Sequence, residues 1–96
     1  MFKDKDIFNG DAEFANASII RVNNLCKQYG LKFTFDIELQ DGMTEENVDK
    51  EGWLDCIQII RNDNECVAKY LTCEGVADWA SGFCECATMS MLNAKQ

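Results

Sequence analysis

The sequence predicts a single α+β domain spanning residues 1–96, ordered α-β-β-β-α, with a three-stranded antiparallel sheet and two helices packed on one face. Three observations predict it. Apolar residues recur at helical spacing near each end of the chain, over 8–29 and again over 75–93. Between these stripes lie one strictly alternating run, 31–40, and two β-rich runs, 53–60 and 65–73, separated by Arg61-Asn62-Asp63-Asn64. Ninety-six residues with 47% apolar content suffice for one core and are too few for two.

Residues 1–8 mix Lys3, Asp4, Lys5 and Asp6 and read as a loose lead-in. From there Phe8, Ala12, Ala15, Ile19, Val22, Cys26 and Tyr29 advance in steps of four and three, one stripe of a 3.6-residue helix. The helix is expected over about 10–29. Asn9 or Asp11 is the candidate N-cap, and Gly30 suits the left-handed position after its last turn.

In the run 31–40, Leu31, Phe33, Phe35, Ile37 and Leu39 alternate with Lys32, Thr34, Asp36, Glu38 and Gln40. Alternation puts the apolar set on one face of a strand and the polar set on the other. A long acidic loop, 41–52, follows, bounded by Asp41-Gly42 and Glu51-Gly52. The two β-rich runs then form a hairpin. A two-residue Asp63-Asn64 turn sets Ile60 against Val67 and Cys56 against Leu71, whereas a three-residue loop sets Cys56 against Tyr70. Neither register opposes Cys56 to Cys66. The second helix, from Gly75 as its cap to about Asn93, gathers Val76, Trp79, Ala80, Phe83, Cys86, Ala87, Ser90 and Met91 within roughly 80° of Phe83. Three strands covered on one side leave the other side free. Either Ile57, Ile59 and Tyr70 or Cys56, Ile60 and Leu71 are expected there.

Charge is the unusual feature. Asp36, Glu38, Asp41, Glu45, Glu46, Asp49, Glu51 and Asp55 stand against the single cation Lys50, a net −7 within residues 36–55 of a chain whose total is −8. The other 76 residues are nearly balanced, so solubility alone does not require such concentration. Crowded like charges repel and cost stability, which a basic partner surface relieves. Direct binding to nucleic acid or an anionic membrane is disfavoured by the same charge. Asp36 and Glu38, two apart on a strand, emerge about 6.6 Å from each other on one side. That spacing resembles the separation of successive phosphates along a nucleic-acid strand, which Lys and Arg side chains neutralise. Trp53 falls inside the acidic window, as a core residue or as an aromatic anchor of an interface.

Other chemistry finds little support. With no histidine, no glycine-rich phosphate loop and no serine in a nucleophile context, the chain is not expected to be an enzyme. Read from Asp41, the loop has Met43, Glu46 and Gly52 where a calcium loop needs an oxygen ligand, glycine and glutamate. Cys84 and Cys86, two apart on a helix, point about 160° away from each other and cannot grip one ion. No metal or cofactor is expected. The six cysteines are even in number, but the N-terminus lacks the apolar segment of an export signal. Reduced thiols in a soluble cytoplasmic protein, mostly buried as small hydrophobes, are therefore expected.

Residues 57–83, IQIIRNDNECVAKYLTCEGVADWASGF, combine a hairpin with an Asn/Asp turn, a short link and an amphipathic helix. In this the chain resembles the small acidic anti-CRISPR proteins of phages, in particular the α-β-β-β-α inhibitors that occupy the DNA groove of Cas9. The resemblance implies a DNA-mimicking inhibitor that blocks a site without catalysis. Its partner would be a basic nucleic-acid-binding protein, a nuclease or CRISPR effector. The same element order occurs in double-stranded-RNA-binding domains, but those need basic residues where this chain has Glu74-Gly75-Val76-Ala77-Asp78. The expected partner-binding residues are the eight carboxylates and Trp53. The alternative is a non-enzymatic interaction or assembly module, monomer or homodimer, using the free sheet face.

Overall fold

The computed structural model describes residues 1–40, 42–46, 48 and 55–94, with 91–94 described by backbone alone. The order is α1 (Asp11–Gln28), β1 (Phe35–Leu39), β2 (Ile57–Arg61), β3 (Cys66–Leu71) and α2 (Cys73–Ala94). The three strands form one antiparallel sheet in the order β1-β2-β3. Both helices pack on the same side of it. The core joins Ala15, Ile19, Val22 and Cys26 of α1, Phe35 and Ile37 of β1, Ile57 and Ile59 of β2, and Val76 and Ala80 of α2. Beside it, the rings of Phe35, Trp79 and Phe83 meet pairwise at 5.3–5.4 Å.

Helix α1 ends as its sequence requires. Gly30 takes φ +70, Leu31 donates its N–H to the Cys26 carbonyl at 2.8 Å, and Gly30 donates to Lys27 at 3.2 Å. These two bonds satisfy carbonyls that the last turn would leave unpaired. Its start differs from expectation: Gly10 precedes the first helical residue, with no side-chain cap from Asn9 or Asp11. The cap of α2 is also displaced. Thr72, not Gly75, holds the position, its Oγ1 accepting the Gly75 N–H at 3.0 Å. Arg21 donates to Ser81 Oγ at 2.9 Å, while Leu25 and Gln28 border Cys84, so the two helices run in the same direction.

The lead-in is not loose. Phe2, Ile7 and Phe8 are buried in the core, and the chain reverses through left-handed conformations at Phe8, Asn9 and Gly10 (φ 54, 57 and 89). Asn16 fixes the segment by pairing with both backbone groups of Phe2. Its Oδ1 accepts the Phe2 N–H at 3.0 Å, and its Nδ2 donates to the Phe2 carbonyl at 2.9 Å.

Strand β1 is shorter than the alternating run, because β2 ends at Arg61, opposite Phe35; past it Asn62 donates its N–H to the Thr34 carbonyl at 2.9 Å and its Nδ2 to the Lys32 carbonyl at 3.0 Å. The hairpin uses the three-residue loop near its turn, Arg61 donating to the Glu65 carbonyl at 2.9 Å and Ile60 lying opposite Cys66. Farther out the register slips twice, so Ile59 meets Ala68 and Ile57 meets Leu71. Extra residues on β3 absorb the slips, and Tyr70 takes φ 60 there. The expected face assignment splits accordingly. Ile57 and Ile59 are fully buried beneath the helices, Cys56 is buried, Ile60 is half-buried and Tyr70 is exposed. Across the sheet, Asp36, Ile60 and Cys66 share one row and Glu38 and Gln58 the next, so the face away from the core is largely polar.

Candidate functional site

All six cysteines are free thiols: Cys26, Cys56 and Cys73 are buried, Cys66 and Cys84 half-buried, and Cys86 exposed. Burial raises the pKa of Cys26 and Cys56, and pushes Cys73 up to about 12 with help from nearby Asp11 and Cys56. Such thiols stay protonated and unreactive at neutral pH. Among the described residues no group of three His, Cys, Asp or Glu side chains is placed to hold a metal ion. No helix among them is long and apolar enough to cross a membrane.

The carboxylates expected to meet a partner divide into three groups. Asp36 and Glu45 are tied to the N-terminal segment. Asp36 Oδ1 lies 2.6 Å from the Met1 ammonium and accepts the Ile37 N–H at 2.9 Å. Glu45 accepts the Lys3 N–H at 2.8 Å and the Asp4 N–H at 3.0 Å, one on each carboxylate oxygen. Glu38, Glu46 and Asp55 form the second group: all three are exposed, and none has a hydrogen-bond or ion-pair partner among the described residues. Asp41, Asp49, Glu51 and Trp53 lie outside the described residues.

Besides the Glu45 bonds, apolar contacts and a backbone bond hold the loop carrying Glu45 and Glu46 among the described residues. Val48 is buried, Met43 packs against the core, and the Met43 N–H donates to the Gln40 carbonyl at 3.0 Å. Glu45 therefore sits beside the outer edge of β1. Two shallow grooves of ≈ 440 and ≈ 420 Å³ run along that edge, sharing Met1, Asp36 and Glu38 in their walls. The second is closed by Met43, Thr44 and Glu45.

Two residues that sequence reasoning passed over position this site. Asn23 Oδ1 accepts the Phe35 N–H at 2.8 Å and its Nδ2 donates to the Phe35 carbonyl at 2.9 Å, so its carboxamide acts as a one-residue strand partner. Asn16 treats Phe2 in the same way, one heptad earlier on α1. Seven residues make nearly two full turns, so both amides project from the same face. The signal available in the sequence was this pair of asparagines at the border of an otherwise apolar stripe. At the hairpin, Arg61 makes two bonds to Asp63, 2.9 and 2.8 Å, and lies over the Phe33 ring at 5.0 Å. Bonding to Arg61 lowers the pKa of Asp63.

Fold and site together define a small acidic α+β protein with solvated carboxylates along one sheet edge and the adjoining loop. Comparison with protein-family models, curated proteins and solved structures finds no match to the chain.

Proposed function

We propose that the protein is a small acidic inhibitor that occupies a basic nucleic-acid-binding surface of a partner protein, in the manner of a DNA mimic, without catalysis. The observation that carries this reading is the placement of Glu38, Glu46 and Asp55. They are exposed and unpartnered among the described residues, in a segment that holds a net −7. A carboxylate that serves the fold finds a donor, as Asp36 and Glu45 do; these three leave their charge to the solvent. A surface of lysines and arginines that normally neutralises phosphates supplies the missing countercharge.

The test is capture of basic nucleic-acid-binding proteins from a bacterial lysate at low salt, followed by competition with duplex DNA. Binding that weakens steeply with salt and is displaced by DNA supports the reading. The triple reversal Glu38→Lys, Glu46→Lys, Asp55→Lys removes it while circular dichroism stays unchanged. Glu45 is excluded from the set because its reversal would release Lys3 and Asp4 and confound charge with folding. Capture that survives the triple reversal overturns the proposal.

A further inference from the structure

A three-stranded sheet has two edges, and this one treats them differently. The β3 edge is irregular: its register slips twice, Tyr70 is left-handed at φ 60, and its N–H is taken by Gln40 Oε1 at 2.8 Å. Bulges and twists of this kind make an edge a poor template for another strand. The β1 edge is regular over all five residues.

The polarity of β1 follows from its flanks. Asn62 donates to the Thr34 carbonyl and Gln40 donates to the Cys56 carbonyl, both at 2.9 Å, so the even-numbered residues turn their backbone groups toward β2. Phe35, Ile37 and Leu39 therefore turn theirs outward. Asn23 takes both groups of Phe35, and Asp36 takes the Ile37 N–H. The Ile37 carbonyl and the Leu39 N–H have no close partner among the described residues, and both face the ≈ 420 Å³ groove between β1, Met1-Phe2 and Met43–Glu45.

We propose that this edge accepts an extended segment of the partner protein as a fourth strand, one carrying Lys or Arg opposite Glu38. The inference rests on the basic partner argued above and names how part of that partner is held. Glu38 stands exposed on the outer face of β1 with no partner among the described residues, so the cross-strand position beside it calls for a cation, whereas Asp36 is already held by the Met1 ammonium. The intervening positions of the incoming strand lie beside Ile37 and Leu39 and take small apolar side chains. Main-chain bonds to the Ile37 carbonyl and the Leu39 N–H supply the register, and the cation opposite Glu38 supplies the selectivity. A second copy of this chain is a poor occupant, because pairing β1 with β1 sets Asp36 and Glu38 against their own counterparts. Strand β1 carries no proline, lysine or bulge; Asn23 and Asp36 cover its edge as far as the Ile37 N–H, and the Ile37 carbonyl and Leu39 N–H beyond are open among the described residues.

The probe is a short blocked peptide of alternating lysine and valine, compared with a peptide of the same composition in which the lysines are clustered. The alternating peptide should bind about threefold more tightly, as one cross-strand ion pair warrants, and at saturation should slow exchange of the Leu39 amide. N-methylation of the peptide at every second residue should abolish binding in one frame and spare it in the other, leaving the protein untouched. Equal binding of both peptides with no protection at Leu39 overturns the fourth-strand inference and leaves the inhibitor reading standing. Failure to bind either peptide likewise overturns only the fourth-strand inference, whereas failure to capture any basic protein removes both.

Discussion

Replacing Asn23 with alanine should cost more than any other single polar substitution on α1 except one at Asn16. Its carboxamide makes two hydrogen bonds to one residue, 2.8 and 2.9 Å, in a partly buried setting. Each bond contributes about 1 kcal/mol net, and a backbone group left without water or protein partner adds a penalty of about 1–3 kcal/mol. Because Phe35 lies on a sheet edge, water reaches part of the vacated site, so about 2–3 kcal/mol is expected in total. For a domain of this size that corresponds to roughly 10–20 °C in Tm. Urea denaturation measures the loss, and amide exchange at Phe35 locates it. Asn23→Asp is the sharper variant: it keeps the acceptor for the Phe35 N–H but turns a second acceptor toward the Phe35 carbonyl. It should be at least as destabilising as alanine at pH 7 and partly recover as the carboxyl protonates in acid. A loss below about 0.5 kcal/mol for Asn23→Ala would refute the claim that this amide substitutes for a strand.

Three further outcomes follow from burial, strain and titration. Ile59→Ala, at a fully buried position, should cost about 2–5 kcal/mol, whereas Ile60→Ala on the outer face should cost under about 1 kcal/mol, both read by urea denaturation. Tyr70→Gly should raise stability by about 0.5–1 kcal/mol, because relief of the left-handed φ 60 exceeds the entropy glycine loses on folding, and the exposed ring forfeits little. The Cys73 thiol, raised from 9.0 to about 12 by burial, stabilises the fold fully below pH 9, and that contribution is lost as pH climbs from 9 toward 12. Wild-type protein should therefore lose stability faster than Cys73→Ala above pH 9, by about 1.4 kcal/mol per pH unit.

Where the sequence was informative, the signal was local. The apolar stripe of α1, its Gly30 terminus, the inward set Phe35-Ile37-Leu39 and the hairpin at 61–65 each depend on residues within a few positions of one another. Periodicity and turn chemistry report such short-range constraints directly. What was not legible depends on distant partners. The docking of the N-terminal segment uses Asn16 on Phe2, and Glu45 on Lys3 and Asp4 across 42 and 41 residues. A stretch rich in Lys and Asp looks solvated until its backbone finds those acceptors. The two slips in β3 were hidden for a related reason. Both candidate registers assumed a constant offset, yet the sheet passes from one offset to the next within three residue pairs.

The same distinction sharpens the reading of the acidic segment. Counted along the chain, its carboxylates look equivalent, and their mutual repulsion looks like a uniform cost. In space they do unlike work. Glu45 is bonded to two backbone amides, and Asp36 to an amide and an ammonium, so their charge is already offset by the protein itself. Replacing either one would loosen the N-terminal segment, and any loss of binding would then be indirect. Glu38, Glu46 and Asp55 hold no such bonds among the described residues, so charge removed there should lower repulsion and leave folding intact or slightly improved. A function built on this surface therefore predicts opposite responses in the two groups. Neutralising Glu38, Glu46 and Asp55 should weaken partner binding without loss of stability, whereas neutralising Glu45 should lower stability first. Binding and urea denaturation measured on the same four variants separate them. If all four moved both quantities together, the division of the acids into structural and partner-facing sets would be wrong.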